Sequence, residues 1–203
     1  MAPLNIAVPL ACEDKRWIEE TRRGNTVAFG NLVRKYQDRL YRSMVLVSGG
    51  RDEALDIVQD AFVRAMLKLD GFQQRSQFYT WLYRIAYNLA IKARRERRRE
   101  LRLYAAIGWT VDLGRAAGGE PRDDAAPEQQ LERDEAHREI RRALGQLGRP
   151  YRTVVVLREI DGLSYDEIGR TLRLPVGTVR SRLHRARLLL LDKFQRLQRV
   201  NGR

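Results

Sequence analysis

Between Pro175 and Arg199 the chain carries seven basic residues and a single acid, Asp192. Their spacing is what gives them a chemistry. Set on a helix at about 100° per residue, Gly177, Ser181, His184 and Arg185 fall on one side, with Arg180 on the flank. Val176, Val179, Leu183, Ala186 and Leu190 fall on the other side. The first face holds what a DNA major groove requires. Arginine pairs bidentately with guanine, serine and histidine reach base edges or phosphates, and glycine permits close approach. A solvated basic face is the usual meaning of such a charge run, so the reading depends on what precedes this helix.

Other reactive residue types are sparse. Cys12 is the only cysteine, and His137 and His184 are the only histidines. An intrachain disulfide is impossible, as suits a reducing cytoplasm, and a zinc site of thiolates and imidazoles is excluded. Asp56 and Asp60 stand at i, i+4 on one helix face. Metal-dependent cleavage needs carboxylates converging on an ion, and a helix in this setting more often offers such a pair to a basic partner. No catalytic residue, metal or cofactor is expected, and the chain is not read as an enzyme.

The elements that must position these residues are helical throughout. Ser164-Tyr165-Asp166-Glu167 has the form of a capping box. A short helix with Ile168 and Leu172 inward should follow. Leu174-Pro175-Val176-Gly177 then makes a tight turn into the basic helix. A short helix, a tight turn and a longer basic helix form the helix-turn-helix layout, and that context favours DNA over a solvated face. Upstream, Phe29, Leu32, Val33, Tyr36, Leu40 and Met44 make an apolar stripe, with Asn25 as N-cap and Gly49-Gly50 as the stop. A helix from Asp52 should bury Leu55, Val58, Phe62, Ala65, Met66 and Leu69, and one from about Gln77 should bury Phe78, Leu82, Ile85 and Leu89. A helix from Leu131 to about Leu147 and another ending near Asp161-Gly162 complete the set.

Charge and composition divide the chain. The net charge is +13, with +7 in residues 1–100, −2 in residues 101–130 and +8 in residues 131–203. Two basic blocks around an acidic connector point to a polyanionic partner. Residues 101–130 are rich in Gly, Pro, Ala and Asp and read as a linker. The opening stretch lacks a basic n-region and is interrupted by Pro3 and Pro9, so it reads as a flexible start rather than a signal. No apolar run approaches the ~20 residues of a membrane span, and no membrane insertion is expected. The expected fold is all-α, two small helical domains on a flexible linker: 1–17 flexible N-terminus, 18–100, 101–130 linker, and 131–203.

Several strings go further. Asp56-Ile57-Val58-Gln59-Asp60-Ala61-Phe62, the run Phe78 to Asn88, Leu157-Arg158-Glu159, and Leu163 to Arg187 with Pro175-Val176-Gly177-Thr178-Val179-Arg180-Ser181-Arg182 resemble the extracytoplasmic-function (group IV) sigma factors of bacterial RNA polymerase. The resemblance spans about residues 18–100 and 130–197 in the family's order. It implies that 18–100 is sigma region 2, which binds core polymerase and recognises and melts the −10 element, and that 131–203 is sigma region 4, which reads the −35 element. The polymerase contact then falls on Asp52, Asp56, Gln59 and Asp60, an acidic face that suits a protein partner because it would repel phosphate. Contacts with −10 DNA fall on Phe72, Arg75, Asn88, Lys92 and Arg95. Those with −35 DNA fall on Arg158, Gly177, Thr178, Arg180, Ser181, His184 and Arg185. Trp81 is expected to be mostly structural. Many relatives are also held by an anti-sigma factor on the same surfaces. A stand-alone repressor or activator would use only the helix-turn-helix and would leave the 52–69 acidic face and the Phe72 loop without a purpose.

Overall fold

A computed structural model describes residues 11–48, 50–106, 140 and 142–201, and all its regular elements among these are helical. The first module comprises α1 (Ala11–Arg22), α2 (Thr26–Ser48), α3 (Arg51–Leu67), a 3₁₀ turn (Leu69–Gly71) and α4 (Phe78–Ala106). The second has helical residues 142–145, α5 (Arg149–Val155) running into a π-turn (Val156–Ile160), α6 (Tyr165–Leu172) and α7 (Val176–Asn201). No helix among the described residues is long and apolar enough to cross a membrane.

The α2 stripe packs as its spacing requires. Leu32, Leu40 and Met44 are fully buried, and the Asn25 side chain accepts from the Val27 amide to cap the helix. Burying each such side chain contributes about 1.5–3 kcal/mol. Helix α3 departs from expectation. Ala54, Ile57, Val58, Ala61, Phe62 and Ala65 face inward, whereas Leu55 and Met66 stand 49% and 43% exposed. Apolar residues of this helix extend beyond one face, to Leu55, Val63, Met66 and Leu67, so its neighbours α2 and α4 choose which are buried.

The first helix starts earlier than expected, since residues 11–17 belong to α1. It is anchored by Asp14, which accepts from Lys35 Nζ and Tyr36 OH, both at 2.5 Å, with Lys35 also over the Trp17 ring. Helix α4 continues to Ala106, past the expected linker boundary at 101. The rest of that linker and the helix expected from Leu131 lie outside the described residues up to 139. Nor do the two modules hang apart. Their buried residues form one continuous apolar cluster, with α4 against α6 and α2 against α5 and the π-turn.

Candidate nucleic-acid interface

The second module displays its basic helix through a tightly built turn. The Ser164 hydroxyl accepts from the Glu167 amide at 3.3 Å, and the Glu167 carboxylate accepts from the Ser164 amide at 2.9 Å, closing the capping box. Gly169 permits the turn, because a Cβ there would meet the Leu174 carbonyl oxygen at 2.9 Å. Pro175 O then accepts the first amides of α7, from Thr178 and Val179. On α7, Val179, Leu183 and Ala186 are buried, while Gly177, Arg180, Ser181, His184 and Arg185 are exposed and Thr178 is half-buried. The face read from the wheel is the face presented. Arg158 is different: its guanidinium donates to the Leu163 carbonyl at 2.9 Å and packs over the Tyr165 ring. It braces the turn before α6 instead of projecting from it.

The first module presents a second face of another kind. Trp81, Arg84, Asn88, Lys92 and Arg95 recur at steps of three and four along α4, a stripe about 21 Å long. The four polar members are exposed and Trp81 is half-buried. At the N-terminal end of the stripe lies a cleft of about 290 Å³, whose walls include Phe72, Arg75, Trp81 and Arg84. Its floor is rigid. Phe72 is only 4% exposed, stacked on Trp81 with centroids 4.7 Å apart and edge-on to Phe78. The Arg22 guanidinium donates to the carbonyls of Leu69, Asp70 and Phe72, stapling the loop to the end of α1. Gln74 adopts a left-handed conformation, φ 52°, that only a well-held loop sustains. Phe72 thus lies beneath the cleft, and the larger Trp81 surface forms its wall. The sequence reading named neither Arg84 nor, except as structural, Trp81 among the residues of this cleft. Stepping back by four and three from Asn88 would have found both.

A third surface lies on α3. Asp52, Asp56, Gln59 and Asp60 are all exposed, as expected. Leu55, Val63, Met66 and Leu67 share that outward side and are exposed too. The ridge is therefore acidic and apolar together. That combination suits a protein partner with a basic, partly greasy face, and is wrong for DNA.

The modules meet on one buried carboxylate. Asp161, 3% exposed, accepts from Ser43 Oγ at 2.8 Å and from Tyr79 OH at 2.6 Å. Arg39 donates to the Asp161 carbonyl at 2.6 Å while its guanidinium lies 3.9 Å from the centre of the Tyr79 ring. Burial pushes the Asp161 carboxyl above the ordinary range, and the hydrogen bonds from Tyr79 and Ser43 and the Arg39 charge pull against it. Burial and the nearby Asp161 charge push the Tyr79 hydroxyl up in turn. Further along the seam, Arg152 donates to the Leu46 carbonyl and Arg149 lies over the Tyr87 ring. The sequence marks Asp161-Gly162 only as a helix stop, which the left-handed Gly162, φ 66°, fulfils.

These surfaces can be set beside known proteins. Residues 32–100 match the family model for Sigma-70 region 2, and residues 137–190 match that for Sigma-70, region 4. The chain is 37% identical over 183 residues to the ECF RNA polymerase sigma factor SigW of Bacillus subtilis, covering 90% of this chain and 97% of that one. It is 36% identical over 191 residues to the ECF RNA polymerase sigma-E factor of Escherichia coli, covering 92% and 96%. Among solved structures, CnrH in complex with the cytosolic domain of CnrY aligns with TM-score 0.63 at 28% identity, over 90% of this chain and 97% of that chain. The sigma factor RpoE of Bartonella quintana, solved with the anti-sigma factor NepR, shares the fold with TM-score 0.65 at 24% identity, over 82% and 96%.

Proposed function

This chain belongs to the extracytoplasmic-function group of the sigma-70 family, whose members are non-enzymatic transcription initiation factors, and from that premise we propose how its three surfaces divide the work. The α3 ridge of Asp52, Asp56, Gln59 and Asp60, with Leu55, Val63 and Met66 among them, docks on core RNA polymerase. The α7 face of Gly177, Thr178, Arg180, Ser181, His184 and Arg185 reads the −35 element as a duplex, with Arg158 acting indirectly by bracing the turn. The α4 stripe and its cleft hold the −10 element as a single strand, with Arg75, Arg84, Lys92 and Arg95 on phosphates, Asn88 on a base edge, and Trp81 over Phe72 as the stacking wall. Trapping an unpaired base this way offsets a few kcal/mol of unstacking, within reach of one aromatic and a few hydrogen bonds.

The observation that carries the reading is the presence in one chain of two basic surfaces of different design. One is a convex helix face sized for a major groove, and the other an aromatic-floored cleft continuous with a basic stripe. A stand-alone repressor would need only the first. Acting on polymerase and DNA, the protein would work in the cytoplasm. An anti-sigma factor completes the proposed partners; the similar CnrH was itself solved with a protein partner, the cytosolic domain of CnrY. The test is abortive transcription with purified core polymerase on a promoter library. Promoter-dependent product is expected, reduced by Asp60→Lys through loss of polymerase binding. Tight duplex binding with no product from any promoter would leave the repressor reading in its place.

A further inference from the structure

The loop that leads into α4 is held from outside itself. Between the 3₁₀ turn and Phe78, residues 72–77 form no regular element. Among the described residues, none of the backbone amides from Gln73 to Gln77 donates to another backbone carbonyl. Gln74 stands at φ 52°, a left-handed conformation that costs a non-glycine residue free energy. A segment with so little internal bonding and one strained residue takes its shape from its neighbours. Two neighbours supply it. The Phe72 ring is buried against Phe78 and Trp81. The Arg22 guanidinium takes the carbonyls. Its Nη2 donates to Leu69 at 2.9 Å, to Asp70 at 3.4 Å and to Phe72 at 2.5 Å, and its Nε donates to Leu69 at 3.3 Å.

Peptide geometry decides what these bonds fix. The Phe72 carbonyl belongs to the planar peptide that joins Phe72 to Gln73, so its direction sets the path by which the chain leaves Phe72. Gln73, Arg75 and Ser76, the residues that follow, line the cleft together with Trp81 and Arg84. Arg22 is not among the lining residues. Its bonds to the carbonyls are charge-assisted, and so stronger than those between neutral groups. Without it the three carbonyls would turn to water and the left-handed Gln74 would lose its support. Arg22 is in turn placed by α1, as the last residue of that helix, where a cation also suits the negative end of the helix dipole. Helix α1 is fixed on α2 by Asp14, through Lys35 and Tyr36. A line of support thus runs from Asp14 through α1 and Arg22 to the loop. It begins ahead of residues 32–100, the stretch that matches the region 2 model.

We propose that Arg22 is a positioning residue for −10 recognition: by holding the Leu69, Asp70 and Phe72 carbonyls it sets loop 72–77 in the shape that selects the trapped base. It acts through the loop and touches no base itself. The proposal rests on the reading of the cleft as the −10 site, but the dependence of the loop's shape on Arg22 does not. The geometry also sorts the substitutions. All three carbonyls converge on one nitrogen, with Nε adding only a longer contact, so this is not the bidentate fork that arginine alone provides. A lysine ammonium, with three donors, can take the same oxygens. A glutamine amide has two donors on a shorter stem and no charge, and alanine has neither donor nor charge.

The test uses the full chain carrying Arg22→Ala, Arg22→Gln or Arg22→Lys. Arg22 is exposed, so all three should fold. The first readout needs no DNA. In chain labelled with fluorotryptophan, the fluorine resonance of Trp81, assigned by its loss in Trp81→Phe, reports the stack on Phe72. It should shift in Arg22→Ala and Arg22→Gln and stay at the parent's position in Arg22→Lys. The second readout is transcription with core polymerase from a library of −10 sequences behind a fixed −35 element. Discrimination against single-base changes should fall about tenfold in Arg22→Ala and Arg22→Gln, roughly the loss of one well-placed hydrogen bond. Arg22→Lys should retain it. Affinity for core polymerase and for −35 duplex should equal the parent's in every variant, which a general loss of folding would not allow. Parental −10 discrimination in Arg22→Ala overturns the proposal, whether or not the fluorine resonance moves. An equal loss on all −10 sequences overturns it too, leaving Arg22 as a support for folding alone. Absence of promoter-dependent product from the parent is a separate failure, that of the sigma reading, and the fluorine spectrum still decides whether Arg22 shapes the loop.

Discussion

The two regions proposed to face DNA would solve opposite problems. On the proposed reading helix α7 meets a duplex that is already in its final form, so its residues need only protrude from a packed support. Val179, Leu183 and Ala186 fix the helix, and Arg180, Ser181, His184 and Arg185 stand free of it. On the same reading the α4 cleft meets a strand that must first be unpaired. It is accordingly sunken, floored by the Phe72–Trp81 stack, shaped by a loop that Arg22 pins, and faced by another module. A convex reader can remain exposed in the free protein. A cleft for a single strand needs walls instead, and here Arg170 and Thr171 of α6 join Trp81 and Arg84 in lining it.

The contrast can be broken at several points. The largest effect should come from Phe72→Ala, which removes a buried ring and should cost about 3–5 kcal/mol of stability in a urea melt. A variant as stable as the parent but deficient in melting would show instead that the ring serves the strand directly. Next, Arg185→Ala should lose about 1–3 kcal/mol of discrimination at one base pair of the −35 element. Equal losses on all sequences would demote Arg185 to phosphate binding and blur the distinction between the regions. Arg84→Ala should weaken binding of single-stranded −10 oligonucleotide and lower the salt dependence of that binding by about one counterion, with −35 affinity untouched. The smallest effect belongs to the seam. Tyr83→Phe removes a buried hydroxyl that has no hydrogen-bond partner, and should leave stability within about 0.5 kcal/mol or raise it slightly. A loss of more than about 1 kcal/mol would show that the hydroxyl has found a partner.

What the sequence makes legible follows the same division. The capping box at Ser164, the turn at Pro175 and both faces of α7 could be read in advance. Each is decided within a few residues, by helix geometry and by the hydrogen bonding of the chain to itself. Helix α3 could not be oriented so easily. With Ala54, Leu55, Ile57, Val58, Ala61, Phe62, Val63, Ala65, Met66 and Leu67 in succession, a wheel offers several apolar faces, and only packing against α2 and α4 selects one. The first turns of α1 depend on Asp14 meeting Lys35 and Tyr36, residues from another helix. Arg158 was legible as basic and near the helix-turn-helix, but its hydrogen bond to the Leu163 carbonyl was not. Asp161 is the clearest case. In sequence an Asp-Gly pair signals a turn, and nothing local tells that its carboxylate will be buried between Ser43 and Tyr79 from far earlier in the chain.

Permanganate reactivity of −10 thymines, on a promoter bound by this chain with core polymerase, tests the central claim most directly. The account predicts reactive thymines with the parent chain, unreactive ones when Trp81→Ala and Arg84→Ala are combined, and in both cases an unchanged footprint over the −35 element. Thymines that stay unreactive beneath a complete −35 footprint with the parent chain would contradict it, leaving a protein that reads duplex DNA and opens none.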